Sequence, residues 1–135
     1  MAKVDVVIVG GSANALGILR SLAGNAHCLV LADDKNLPVF ASRFGEKILV
    51  ESTKSAVIID ELVRLAKSFQ HAPVLLLSEE KTVEQVSQHR ARLETSYRFD
   101  LVTHELILAL QSKSAFQQLA EQQQAPIPKA VVINQ

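Results

Sequence analysis

Residues 6–22 read VVIVGGSANALGILRSL. The run before the glycines, VDVVIV at 4–9, is mostly β-branched and apolar, with no polar alternation. A strand of that kind has no face to give to water, so it belongs in a parallel sheet covered on both sides. Gly10 and Gly11 then break the run. Beyond them Ala15, Leu16, Leu19, Leu22 and Ala23 fall on one helical face over 14–23. Gly24-Asn25 supplies a left-handed stop for that helix. Strand, glycine turn and helix in this order open a doubly wound α/β domain.

The rest of the chain keeps the same grammar. CLVLA at 28–32 reads as a second buried strand ending at Asp33-Asp34, and KILVE at 47–51 as a third. Residues 55–69 carry an apolar stripe of Ile58, Leu62, Leu65 and Phe69, with Asp60 and Arg64 one turn apart on the outer face. Pro73 starts a fourth strand, VLLL, which ends at Ser78-Glu79-Glu80. Thr82 and Gln85 fit a capping box for a helix over 83–93, Thr103 caps one at 104–110, and Ser114 with Gln117 starts one at 115–123. Pro126 and Pro128 force extended chain before AVVI at 130–133, which reads as the beginning of a further strand. The order β-α-β-β-α-β-α-α predicts a single three-layer, Rossmann-like domain with a parallel sheet and helices on both faces.

Composition narrows the function classes. The chain has 135 residues, 48% of them apolar, with 14 basic and 14 acidic side chains. A formal net charge of zero provides no global field toward nucleic acid or an anionic membrane. No apolar run approaches the roughly 20 residues a membrane helix needs, and the N-terminus lacks the pattern of a secretory signal. Cys28 is the one cysteine, so no internal disulfide is available. These features point to a cytoplasmic protein with neither nucleic-acid nor membrane partners. Cys28 opens a buried strand and reads as core. The four histidines show no metal-ligand spacing, and no serine stands in a nucleophile-elbow context. No catalytic or metal-ligating residue is assigned, and HRAR at 89–92 reads as a solvated face.

The glycine turn has two readings. It joins a strand to a helix, with Gly17 letting that helix approach the sheet. Alternatively it borders a ligand, because in a doubly wound sheet ligands bind at the carboxyl ends of the strands. Gly10 and Gly11 allow close approach, the free N–H groups of the helix start favour an anion, and Ser12 and Asn14 add donors. The dinucleotide fingerprint G-x-G-x-x-G is not matched, since the turn reads GGSANALG. Asp33 follows the second strand, where an acidic residue holds a ribose in dinucleotide folds or is simply a solvated loop carboxylate. Ser78, closing the fourth strand, completes this candidate set.

Several stretches taken together carry a resemblance. They are VVIVGGSANALGILRSL, then ASRF at 41–44, LLLSEEKTVEQVSQHRARLETSYRF at 75–99, and QSKSAFQQLAEQQQAPIPKAVVI at 111–133. In that order they resemble the N-terminal, pre-ATP-grasp domain of the ATP-grasp superfamily, in its carbamoyl-phosphate-synthase-like and carboxylate–amine ligase branch. The resemblance implies residues 1–111 as the Rossmann-like domain and 112–135 as a hinge helix and first strand leading to an ATP-grasp domain of the same polypeptide. The parent would use ATP and Mg²⁺ to activate a small-molecule carboxylate as an acyl phosphate and pass it to an amine or thiol. This chain would be an inactive fragment with no cofactor of its own. Lys113 matches a family lysine that reaches toward the nucleotide phosphates, although Ser112 stands where the family carries aspartate. The glycine turn becomes a substrate wall rather than a phosphate loop, with Arg43 either on the same side or bonded to a loop carbonyl. Two other classes remain open: a stand-alone Rossmann-like dinucleotide-binding or regulatory module, and a ligand-free structural domain that forms a homodimer.

Overall fold

The computed structural model describes residues 3–131 and residue 133. The chain divides into two compact units, Met1–Leu101 and Val102–Gln135. The first runs β1 (Val6–Val9), α1 (Ala13–Leu22), β2 (Cys28–Ala32), β3 (Glu46–Leu49), α2 (Val57–Ala66), β4 (Val74–Leu77) and α3 (Glu80–Gln88), with 3-10 turns at Pro38–Ala41 and Arg90–Arg92. The four strands pair in parallel in the order β3-β2-β1-β4. Val6 lies opposite Cys28 and Val74, and Val9 opposite Leu31 and Leu77.

Pleating sends alternate side chains of each strand to opposite faces. Val6, Ile8, Cys28, Val30 and Ala32 pack with Ala15 and Leu19 of α1. Val7, Val9, Leu29, Leu31 and Leu75 pack with Ile58, Ile59, Leu62 and Leu65 of α2 and Val86 of α3. Both faces of β1 and β2 are therefore covered, which is why those two strands are apolar without alternation. The fold is the expected Rossmann-like, three-layer α/β arrangement. Tyr97 closes the α2 side: its ring meets Phe69 edge-on at 6.0 Å, and its hydroxyl donates to the Leu62 carbonyl at 2.7 Å. Burial pushes that phenol well above its ordinary range. Cys28 is buried in the other layer, as expected of a core cysteine.

The chain starts at the centre of the sheet, moves out through β2 to β3, and returns across β1 to β4. The direction of travel thus reverses beside β1. In such sheets the crevice at the carboxyl ends of the strands on either side of the reversal is where ligands sit.

Several local expectations are corrected. Gly17 does not let α1 approach the sheet, because it is exposed and a side chain there would meet open space. Arg64 pairs with Glu61, and Asp60 pairs with Arg92 at 2.8 Å, so Asp60 and Arg64 are not partners. Thr82 is not a cap. The helix starts at Glu80 after Glu79, and the Thr82 hydroxyl donates to the Thr53 carbonyl at 2.6 Å. A buried carbonyl left without a donor costs more than a lost cap, which decides the competition. β3 starts one residue and ends two residues earlier than expected, and α3 ends at Gln88, with a separate 3-10 turn after it.

The second unit holds α4 (His104–Gln111) and α5 (Lys113–Gln122). Thr103 caps α4, its side chain accepting from the Leu106 N–H as expected. Ser112 rather than Ser114 caps α5, accepting from the Ala115 N–H at 3.3 Å, so that helix begins at Lys113. Ala130, Val131 and Ile133 lie in no strand, and Val132 of the expected strand is outside the described residues.

Leu62 is fully buried between α2 and the sheet. Leu62→Ala is expected to cost about 3 kcal/mol in urea unfolding, the usual range for a buried leucine. A cost under about 1 kcal/mol would contradict this packing.

Candidate functional site

Four strand ends face one way in a parallel sheet, so the residues that follow them gather at one end. β1 is followed by Gly10 and Gly11, β2 by Asp33, and β4 by Ser78 and Glu79. The loop from β3 to α2, residues 50–56, crosses the same end and carries Thr53 and Lys54.

The glycines are required by geometry. Gly10 has φ +126°, and a Cβ there would lie 1.9 Å from Ser78 Oγ and 3.0 Å from Glu79 Oε1. Ser78 is drawn in because its hydroxyl and its N–H both donate to the Val9 carbonyl, at 2.9 and 3.1 Å. A Cβ on Gly11 would lie 2.6 Å from Leu37 Cδ1. The turn is thus pressed by β4 on one side and by the loop after β2 on the other. Ser12 precedes α1 without a side-chain capping bond, and both Ser12 and Asn14 are exposed. The first-turn amides of α1 lack intrahelical acceptors, as at every helix start.

Next to this turn a charged network closes over the end of β1. Asp33 Oδ2 accepts from the Thr53 N–H at 3.1 Å and the Thr53 hydroxyl at 3.0 Å. The same hydroxyl lies 3.1 Å from Glu79 Oε1. One hydroxyl proton therefore faces two carboxylates. The Lys54 ammonium sits 3.3 Å from Asp33 Oδ2 and 3.3 Å from Glu79 Oε2, offsetting their repulsion. Thr53 is fully buried, and its carbonyl takes the Thr82 hydroxyl. Burial pushes the Asp33 carboxyl upward, but the Thr53 N–H and hydroxyl and the Lys54 ammonium outweigh it and hold it below the usual carboxylate range. Hydrogen bonding and charge attraction from Glu79, then from Asp33, raise Lys54.

The structure therefore brings together Gly10, Gly11, Ser12, Asn14, Asp33 and Ser78. Arg43 is elsewhere. It lies two residues before Gly45, whose Cβ position is 3.1 Å from the Cys28 carbonyl at the amino end of β2, and its guanidinium stacks 5.0 Å from the Phe44 ring. Lys113 belongs to the second unit, exposed in the first turn of α5. The residues that sequence reasoning passed over are Thr53, Lys54, Glu79 and Thr82. ESTKSA at 51–56 matches no motif. Its one signal was position, since a loop following a parallel strand must arrive beside Asp33 and Ser78.

Asp33 gives this network a pH dependence. An unfolded aspartate titrates near about 3.9, and the folded one lower. Its stabilisation is complete above the unfolded value and is lost as pH falls through the folded one. Asp33→Asn should therefore cost about 1–3 kcal/mol at neutral pH. The gap to the wild type should shrink in acid. Urea unfolding near pH 7 and near pH 3 measures it, and an undiminished gap at the lower pH would contradict the assignment.

Among the described residues no group of three or more His, Cys, Asp or Glu side chains is gathered to hold a metal ion. No helix among them is long and apolar enough to cross a membrane. No family model matches the chain. The chain is 25% identical to a D-aspartate ligase of Enterococcus faecium (strain Aus0004) over 136 aligned residues. That alignment takes in 96% of this chain and 32% of the ligase, so the chain spans about a third of the curated relative it matches.

Proposed function

We propose that the chain is the substrate-side domain of an ATP-dependent carboxylate–amine ligase of the ATP-grasp type, working through an acyl phosphate. The observation that carries this reading is the alignment itself, which takes in 96% of the chain and only 32% of a D-aspartate ligase. A match of that form is what one domain of a larger ligase would give. The site's geometry agrees in kind. A glycine turn and an uncapped helix start at the reversal point of a parallel sheet form a wall suited to a carboxylate.

In this reading Ser12, Asn14 and the first amides of α1 bind and orient the carboxylate. Gly10 and Gly11 let the turn fit between Ser78 and Leu37, which places the start of α1 at the wall. Lys113 is assigned to the nucleotide phosphates. ATP supplies the phosphoryl group, and Mg²⁺ is assigned to ligands outside this chain, since Asp33 and Glu79 are already shared among Thr53 and Lys54. The protein works in the cytoplasm, where ATP is available. A stand-alone dinucleotide module is less well supported. Asp33 Oδ2 already takes two bonds from Thr53 and one from Lys54, which ties the carboxylate into this network rather than presenting it to a ribose.

Activity of the complete ligase tests the proposal. With ATP, a small amino acid such as D-aspartate and hydroxylamine, it should form a hydroxamate by trapping the acyl phosphate. The 135-residue chain alone should turn over no ATP. Ser12→Ala combined with Asn14→Ala in the complete ligase should raise KM for the carboxylate about ten-fold with kcat little changed, because uniform binding is lost. Lys113→Ala should weaken ATP binding about ten-fold, the worth of one charge-assisted contact. Absence of hydroxamate with every carboxylate tried, alongside NAD binding by the isolated chain, would replace this reading with the dinucleotide module.

A further inference from the structure

We infer that residues 51–55 form a lid over the reversal point of the sheet and that Lys54 is its latch. The inference rests on the reading of this end of the sheet as the substrate side, and it concerns the covered end of β1 beside the open Ser12–Asn14 wall.

The position of the loop follows from the strand order. β2 and β4 flank β1, and neighbouring strands lie about 4.8 Å apart, so the ends of β2 and β4 are separated by the width of two strand spacings. The Thr53 hydroxyl nonetheless reaches Asp33, after β2, at 3.0 Å and Glu79, after β4, at 3.1 Å. It can do so only from above the end of β1. Lys54 spans the same gap, 3.3 Å from each carboxylate. The loop therefore passes over the strand whose end is the Gly10 turn, and a Cβ on Gly10 would already lie 3.0 Å from the Glu79 oxygen that Thr53 uses.

The loop is fastened by few and separable bonds. Val50 is the last residue of it tied to the sheet, through its N–H to the Ala32 carbonyl at 2.9 Å. Residues 51–56 have no helix or strand structure. Ser52 turns the chain, accepting from the Lys54 N–H at 3.1 Å. Its further fastenings among the described residues include Thr53 to Asp33 and Glu79, Thr82 to the Thr53 carbonyl, and Lys54 to both carboxylates. Lys54 stands on the outside, its side chain 54% exposed, while Thr53 beneath it is fully buried. The lysine must leave before the threonine can. Once it does, two carboxylates face one hydroxyl proton with no cation between them, and their repulsion favours opening. A ligand that brings its own ammonium group to Asp33 and Glu79 would release Lys54 without exposing that repulsion.

Amide hydrogen exchange on the 135-residue chain tests the lid without any ligase assay, so its outcome is independent of the catalytic reading. The reporters are the Thr53 N–H, held by Asp33, and the N–H groups of β1 and β2 as the global reference. Lys54→Met should speed exchange at Thr53 about five-fold, the size expected for loss of a half-exposed ion-pair bridge, while β1 and β2 stay protected. Lys54→Arg should restore slow exchange. Lys81→Met, which removes a pair within α3, should change nothing at Thr53. Unchanged exchange at Thr53 in Lys54→Met, or an equal rise throughout β1 and β2, would overturn the lid.

Discussion

Val6 to Val9 are all buried, and the rest of the molecule is arranged around that fact. Both edges of this strand are hydrogen-bonded, to β2 and to β4, and both faces are packed, by α1 on one side and by α2 and α3 on the other. A strand enclosed in this way must be parallel to its neighbours if helices are to return over each face. Parallel strands place all their carboxyl ends together. The reversal of chain direction beside β1 then fixes which of those ends has a crevice next to it. The location of the candidate site is thus set by the burial of four valine and isoleucine side chains.

The chemistry at that end is divided between an open half and a fastened half. Ser12, Ala13 and Asn14 are exposed, and the Ser12 side chain makes no capping bond. Asp33, Thr53, Lys54, Glu79 and Thr82 satisfy one another. A buried threonine with its N–H, hydroxyl and carbonyl all engaged is a structural keystone. The half-exposed lysine above it is held by pairs that individually contribute little. The proposed substrate wall and the proposed lid therefore rest on different residues, and one can fail without the other.

Much of the fold was legible because it depends on short-range patterns. VDVVIV, CLVLA and VLLL announce buried strands, and the stripe Ile58, Leu62, Leu65 announces the helix that covers them. Caps were less legible, since a hydroxyl has several partners within reach. Thr82 looks like a cap in sequence but is claimed by a carbonyl 29 residues away, and Ser112 pre-empts Ser114. The glycine turn was legible as a place but not as a fit, because the reason for Gly10 is Ser78, brought close only by the β1–β4 pairing. Thr53 and Lys54 were not legible from any local pattern. Nothing in ESTKSA marks it, and its meaning comes from strand order, which no local pattern encodes. Arg43 was set beside the glycine turn, as one of two readings, only through the resemblance of the ASRF stretch, whereas the parallel return to β3 leaves it at the other end of the sheet.

The central claim is that the end of the sheet bearing Gly10 to Asn14 receives a carboxylate. Amide chemical-shift mapping of the isotopically labelled chain, titrated with a small dicarboxylate such as succinate, addresses it most directly. Saturable shifts are expected at residues 10–14 and 78–79, with the amino end of the sheet silent. Shifts confined to residues 24–27 and 43–46 at that amino end, or none at any concentration, would contradict it.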